Sequence, residues 1–340
     1  MVPPAPFAPM SFPALVGDIG GTNARFALLS DAHAEAKLFD PVRTGDYPDI
    51  ETAIEESVFA LTSVMPRSAV IAVAGPVQGD EIDLTNAEWV IRPRQMMQRL
   101  GLDDVVVIND FEALALSLTS LGDDLLQKIG GGAADDHGPK VVIGPGTGLG
   151  VAGMIHASGI WVPIPGEGGH VSFGPVEPDE FAIWDVLEPE HGRISAEALL
   201  CGRGMVRLYR GVARSQGAEP RFTKPEEISD AALAGNDPVS RRTVDLYCRL
   251  LGRAAGDLAL TFMASGGVYI GGGIAPRLLP ILAASEFRTA FEAKAPHEDF
   301  VRSVPSWVIT GERPALTGLA AYARAPALFG VSLDGRRWTN

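Results

Sequence analysis

Short apolar runs separated by glycine-rich turns dominate the first part of the chain. Residues 15–17 and 26–29 are two such runs, flanking a polar turn that holds Asp18, Gly20, Gly21, Thr22, Asn23 and Arg25. Runs this short read as β-strands joined by a tight connection. A third strand is expected near 36–42. Helical spacing of apolar residues follows over about 50–65, with Asp49 placed to cap it. Residues 69–74 fit a buried strand, 89–91 a short strand, and 93–100 a helix stopped by Gly101. The fully apolar run at 105–108 suits the middle of a sheet, and a helix is expected to start at about Phe111. The order is βββαβαβα, a meander followed by crossover units.

The second part repeats this order with insertions. Strands are expected at 140–143, 151–155 and 160–163. Helices are expected around 181–187, 196–200 and 205–213, with a long one over 238–263. A strand at 268–270 leads through three glycines into a helix from about Ile274. A last strand at 307–309 precedes a helix over about 315–323. The stretch 130–138 has the composition of a mobile surface loop. The segment VVIGPGTGLGVAGMI, residues 141–155, echoes LVGDIGGTNARFALL, residues 15–29: strand, Gly-rich loop, strand. Backbone N–H groups in such turns form concave anion sites, because glycine lets the main chain approach a ligand. One such hairpin is usually only a turn. Two suggest related halves gripping one polyphosphate, with Asp18 at a strand end able to hold a metal ion or its water.

A chain of 340 residues exceeds what one core normally supports, so two domains are expected. The net charge of −14 argues against nucleic acid or an anionic membrane surface as the main partner. It leaves open an ATP pocket built from backbone N–H groups and a divalent cation. No apolar run is long enough to span a bilayer. Cys201 and Cys248, far apart, form neither a disulfide framework nor a CxxC pattern and read as reduced thiols of a cytoplasmic protein. Residues 1–13, broken by prolines, read as a flexible tail and not a signal peptide.

Asp110, at the end of a central strand, stands where open α/β sheets bind ligands. It reads either as a base for an attacking hydroxyl or as a helix cap, and Asn109 has the same alternatives. Glu167 and His170 lie in the loop PGEGGHVSF and suit hydrogen bonding to a polyol, or else the bare surface. Glu197 is a substrate contact or a first-turn acid. Gly271, Gly272 and Gly273 suit a flat base or phosphate, or a tight strand-to-helix turn. Thr85–Asn86 reads as a turn. Gly148, Gly150 and Gly153 match GxGxxG, but the residues after them read as a further hairpin and not the required helix, which argues against a dinucleotide-binding domain. GK[ST], HExxH and GxSxG motifs are absent, and six scattered histidines make no metal cluster.

Taken in order, GDIGGTNARFAL, AGPVQGDEIDLTNAEW, VVVINDFEALALSL, IGPGTGLGVAGM, PGEGGHVSF, RISAE and IGGGIAPRL resemble the bacterial glucokinase family of the hexokinase and actin-like ATPase superfamily. The resemblance spans roughly residues 14–325. It implies two actin-like ATPase (ribonuclease H-like) α/β domains, each a mixed sheet flanked by helices, with a cleft between. Residues 14–118 with 313–340 would form the small domain and 119–312 the large one. It implies ATP-dependent phosphorylation of the 6-hydroxyl of glucose, with Asp110 as catalytic base and Asn109, Glu167, His170 and Glu197 as sugar ligands. Gly17, Asp18, Ile19, Gly20, Gly21 and Thr22 resemble one ATP-phosphate loop; Gly146, Thr147 and Gly148 resemble the other; Gly271–Gly273 resembles the adenosine segment. Mg²⁺ is expected with ATP, with Asp18 a possible indirect contact. The related branch's cysteine-rich zinc loop is missing, so zinc is not expected. A cytoplasmic homodimer is typical of the family. The competing readings are a kinase of another hexose or an N-acyl sugar, a non-catalytic sugar sensor, and an actin-like polymerising ATPase.

Overall fold

The computed structural model describes residues 9–85 and 87–340; Asn86 and residues 1–8 of the expected tail lie outside the described residues. The chain forms β1 (Ala14–Ile19), β2 (Asn23–Leu29), β3 (Lys37–Leu38), β4 (Val42–Arg43), α1 (Ile50–Ser57), β5 (Ser68–Val73), β6 (Ile82–Asp83), β7 (Val90–Ile91), α2 (Pro93–Leu100), β8 (Asp104–Asn109) and α3 (Asp110–Ser117). Then come β9 (Leu126–Gly130), β10 (Lys140–Pro145), β11 (Leu149–Ala157), β12 (Ile160–Gly166), α4 (Pro178–Trp184), α5 (Gly202–Ser215), α6 (Pro225–Ala234) and α7 (Pro238–Phe262). The last elements are β13 (Gly267–Ile270), α8 (Ile274–Leu282), α9 (Phe287–Glu292), α10 (Glu298–Ser303), β14 (Ser306–Ile309), α11 (Pro314–Arg324) and β15 (Arg337–Thr339). No helix of the described residues is long and apolar enough to cross a membrane.

The residues group into two compact units. One holds the described residues up to Gly122 with Met154–Pro165 and Glu312–Asn340; the other holds Asp123–Gly153 and Gly166–Gly311. In the first, the sheet order is β15-β8-β5-β1-β2-β3, with β4 also on β2. The β1–β2 pair is antiparallel, whereas β5 is parallel to both β1 and β8. The central strands β5 and β8 are apolar on both faces and almost wholly buried, as strands in the middle of a sheet require. On this sheet α11 packs against α3 at very short range: a Cβ built on Gly318 would lie 2.0 Å from the Ala113 carbonyl oxygen. The other sheet runs β12-β11-β10-β13-β14-β9, with β10, β13 and β14 parallel; β9, β10, β13 and β14 belong to the second unit. Its long helix α7 carries a buried stripe from Ser240 to Ala259. Gly252 and Gly256 let α9 approach closely; an added Cβ would meet the Phe287 and Phe291 carbonyl oxygens at 2.1 and 2.3 Å.

Helix ends follow local chemistry. Asp49 accepts the Thr52 N–H at 2.7 Å and starts α1. Gly101, at φ 70°, stops α2 in the left-handed conformation glycine favours. Five expectations need correction. The helix expected over 50–65 ends at Ser57, because Leu61 and Met65 continue the apolar spacing but stand exposed with no core to meet. The strand expected over 36–42 splits into β3 and β4 around Pro41, which has no N–H for a ladder. The helix expected at 196–200 closes only a single turn: Leu200 N–H returns to the Ala196 carbonyl, but Gly202 N–H bonds the Gly146 carbonyl instead of continuing the ladder. Its apolar side chains are buried all the same, which is what the sequence signalled. Residues 10–13, expected in the flexible tail, pack on the first unit: Met10 is buried, and the Ser11 and Pro13 carbonyls accept bonds from Ser68 and Arg67. Gly130, expected in the mobile loop, closes β9.

A Gly318→Ala substitution forces the α3 and α11 backbones apart. It should destabilise the protein by about 1–3 kcal/mol, read as a shifted urea midpoint; an unchanged midpoint would refute the close approach.

Candidate functional site

In the first unit, register places Asp18 directly opposite Arg25 across the β1–β2 ladder, and Arg25 Nη1 approaches Asp18 Oδ2 at 3.3 Å. The Asp18 side chain is only 16% exposed. Burial pushes its carboxyl above the usual carboxylate range, and the Arg25 charge and hydrogen bond pull the other way. The turn beyond it is held at both ends: Gly20 N–H donates to the Asn23 carbonyl, and Thr44 binds the Thr22 and Gly21 carbonyls through its N–H and hydroxyl. These bonds shape the loop. A single mostly buried carboxylate beside a glycine turn is a donor set suited to Mg²⁺, which keeps most of its waters and takes its other ligands from substrate phosphates. No cluster of three or more metal-ligating side chains occurs among the described residues.

Asn109 and Asp110 stand at the junction of β8 and α3. Asn109 caps the helix: its Oδ1 accepts the Phe111 and Glu112 N–H groups at 2.9 and 3.3 Å, and its Nδ2 donates to the Gly75 carbonyl at 3.2 Å. The cap considered for Asp110 is therefore supplied by Asn109. Asp110 is the first helical residue, half-buried, with Oδ1 accepting the Phe111 N–H at 3.0 Å. A carboxylate there lies at the positive end of a helix, fixed in place by the strand before it.

In the second unit the other expected residues come together. The turn Gly146–Thr147–Gly148 joins β10 to β11, closed by a bond from Gly146 N–H to the Gly148 carbonyl. The three glycines between β13 and α8 lie against the end of β10: Gly271 N–H donates to the Ile143 carbonyl, and Gly272, at φ 74°, leaves only 2.3 Å between a built Cβ and the Pro145 carbonyl oxygen. The two segments matched to nucleotide binding are thus neighbours, and only glycine fits between them.

The loop after β12 carries Glu167, exposed, and His170, whose Nε2 lies 3.7 Å from Glu167 Oε2. A Cβ on Gly169 would fall 1.9 Å from the Leu149 carbonyl oxygen, so this loop rests directly on the start of β11. Bonds from Ala196, Glu197 and Phe173 N–H to the Val171, Gly169 and Ile194 carbonyls strap it to the 194–197 segment. The Arg193 guanidinium donates to the His170 carbonyl at 2.5 Å. Glu197 is not a surface acid: its side chain is 13% exposed, Oε2 accepts the Leu149 N–H at 2.9 Å and Oε1 meets Arg203 at 2.5 Å. It joins the Gly148 turn to the Gly169 loop. Sequence reasoning missed Arg25, Arg193 and Arg203, which hold these acids and carbonyls. Arg25 falls within the first Gly-rich motif and Arg193 opens RISAE; no motif marks Arg203.

GxGxxG is part of a strand and not a strand-to-helix turn, since Gly150 and Gly153 lie in β11. A sequence-family model described as Glucokinase matches residues 15–326. A curated protein named Glucokinase from Sinorhizobium fredii is 53% identical over 328 residues, covering 96% of this chain and 97% of its own. A crystal structure of glucokinase from an Antarctic psychrotroph superposes with a TM-score of 0.83 at 33% identity, covering 92% of this chain and 98% of that one. A family glucokinase from Streptomyces griseus of the type called ROK, solved in complex with glucose and AMPPNP, shares the fold at a TM-score of 0.61 and 24% identity, covering 92% and 99%. The two helix-flanked mixed sheets are those of the actin-like ATPase fold these sugar kinases share. By sequence and by fold, the chain belongs to the glucokinase family.

Proposed function

We propose that this chain transfers the γ-phosphoryl group of ATP to the 6-hydroxyl of glucose, giving glucose 6-phosphate and ADP. The observation that carries the reading is the second unit's junction, where Glu197 bonds the Leu149 N–H beside Gly148 while the Gly169 loop rests on the Leu149 carbonyl. A nucleotide turn and a polyol-binding loop share one residue there, as a reaction between a triphosphate and a sugar requires. Residues 14–118 with 313–340 serve as the small domain and 119–312 as the large one.

Phosphoryl transfer is mainly positioning and charge neutralisation. Main-chain N–H groups of Gly17–Thr22 and Gly146–Gly148 meet phosphate oxygens; Gly271–Gly273 lies along the adenosine. Glu167, His170, Glu197 and Asn109 orient the sugar by its hydroxyls. Asp110 accepts the 6-hydroxyl proton as the oxygen attacks phosphorus, and the bond to the ADP oxygen breaks with its electrons leaving on ADP. Mg²⁺ bound with ATP would supply further neutralisation of the phosphates, and Asp18 would help to hold it there. Buried polar groups paired with sugar hydroxyls reject analogues that lack them. A kinase of another hexose or an N-acyl sugar remains the competing assignment within the fold, and a coupled ADP assay over a sugar panel separates the two.

Asp110→Asn should cut kcat by about 100-fold or more with glucose KM within a few-fold of the parent, measured by the same assay; near-normal turnover would remove the base assignment. Glu167→Gln should raise glucose KM about tenfold and leave ATP KM nearly unchanged, and an equal rise in both would argue against a sugar contact. Gly169→Ala pushes the loop off Leu149. It should lower kcat/KM at least about tenfold without loss of the folded state by circular dichroism; unchanged kinetics would show that the junction does not set the sugar loop.

A further inference from the structure

A cavity of about 430 Å³ opens beside α5, whose first residue, Gly202, donates its N–H to the Gly146 carbonyl, and four arginines line it: Arg203, Arg207, Arg210 and Arg214. In a chain of net charge −14, four arginines gather along this one helix. Its spacing is informative. Arg203 and Arg207 are four residues apart, as are Arg210 and Arg214, so each pair projects from one face of the helix. The pairs are offset by seven residues, about 10 Å along the axis at 1.5 Å per residue. Val206 and Pro225 give the cavity an apolar wall between these charges.

Acids balance the arginines unequally. Arg203 and Arg207 lean on Glu190 at 3.4 and 3.2 Å, and Arg214 on Glu188 at 2.8 Å. Arg210 makes no hydrogen bond or ion pair with any described residue, and Glu188 is the one acid among the described lining residues. Guanidinium groups match phosphate oxygens in bidentate geometry. The volume is that of a small-metabolite site.

We infer that this cavity binds a small polyol carrying two phosphate groups, one on each arginine pair, and that it reports to the sugar site through Arg203. Arg203 also bonds Glu197 Oε1 at 2.5 Å, so a phosphate that recruits Arg203 competes with the carboxylate holding the Leu149 N–H. Glucose affinity then falls as the bisphosphate binds. This coupling rests on the sugar-binding reading of Glu197; binding in the cavity does not, so the two are measured separately.

The test uses the full chain and fructose 1,6-bisphosphate as probe, by isothermal titration calorimetry without divalent metal. Binding is expected, at least tenfold tighter than inorganic phosphate, and at least tenfold weaker in the Arg210→Ala/Arg214→Ala double variant. Both side chains are exposed, so the variant should fold as the parent does. No heat with the parent chain, or equal affinity in the variant, would overturn the site. In the coupled assay the probe should raise glucose KM at least threefold for the parent and leave the double variant unaffected. Binding with an unmoved KM would overturn the coupling through Arg203.

Discussion

The second unit depends on one buried carboxylate. Glu197 is held by Arg203 on one oxygen and by the Leu149 N–H on the other, and its own N–H binds the Gly169 carbonyl. A charged group so nearly removed from water is tolerated only when its lone pairs are met. Meeting them fixes three segments at once: the turn after β10, the loop after β12 and the start of α5. Glycines at 148 and 169 make the arrangement possible, since a methyl group at either would occupy the space of an oxygen, 2.7 Å from Glu197 Oε2 or 1.9 Å from the Leu149 carbonyl. The local geometry of both loops therefore follows from one hydrogen-bonded acid and two missing side chains.

The first unit solves a similar problem with different means. Its Gly-rich turn is braced by Thr44, a residue with no part in the motif, and Asp18 is balanced by Arg25 across the ladder. Asn109 spends both ends of its amide on the main chain, capping α3 and bonding Gly75, which sets the position of Asp110 beside it. A side chain already serving the backbone in this way offers a sugar only its remaining donor and lone-pair capacity.

Much of this was legible in the sequence wherever local chemistry decides. Pro93 and Gly101 bracket α2, Asp49 opens α1, and the uninterrupted apolar run gives β8. The ordered motifs marked the glycine turns and the loop with Glu167 and His170. What stayed hidden is set by distant partners. Residues 196–200 carry the apolar content of a helix, yet after one turn the Gly202 N–H is claimed by the distant Gly146 carbonyl. The strand β15 contains two polar residues around Trp338 and signals little by itself; β8 recruits it, and Arg337 pairs with the nearly buried Asp104 at 2.6 Å. Arg203 reads as one more charge on a helix until Glu197 is seen beneath it. Tertiary claims on backbone and charge leave no periodic trace.

That last strand has a consequence for how the protein is made. The first unit draws its sheet from the beginning of the chain, but β15 covers the edge of β8 and α11 covers α3. Both follow the whole of Asp123–Gly153 and Gly166–Gly311 in the chain. During translation the early strands wait with an open edge and an uncovered helix while the intervening segments emerge. Closure of the first unit therefore waits on segments that come far later in the chain than the strands and helix they cover.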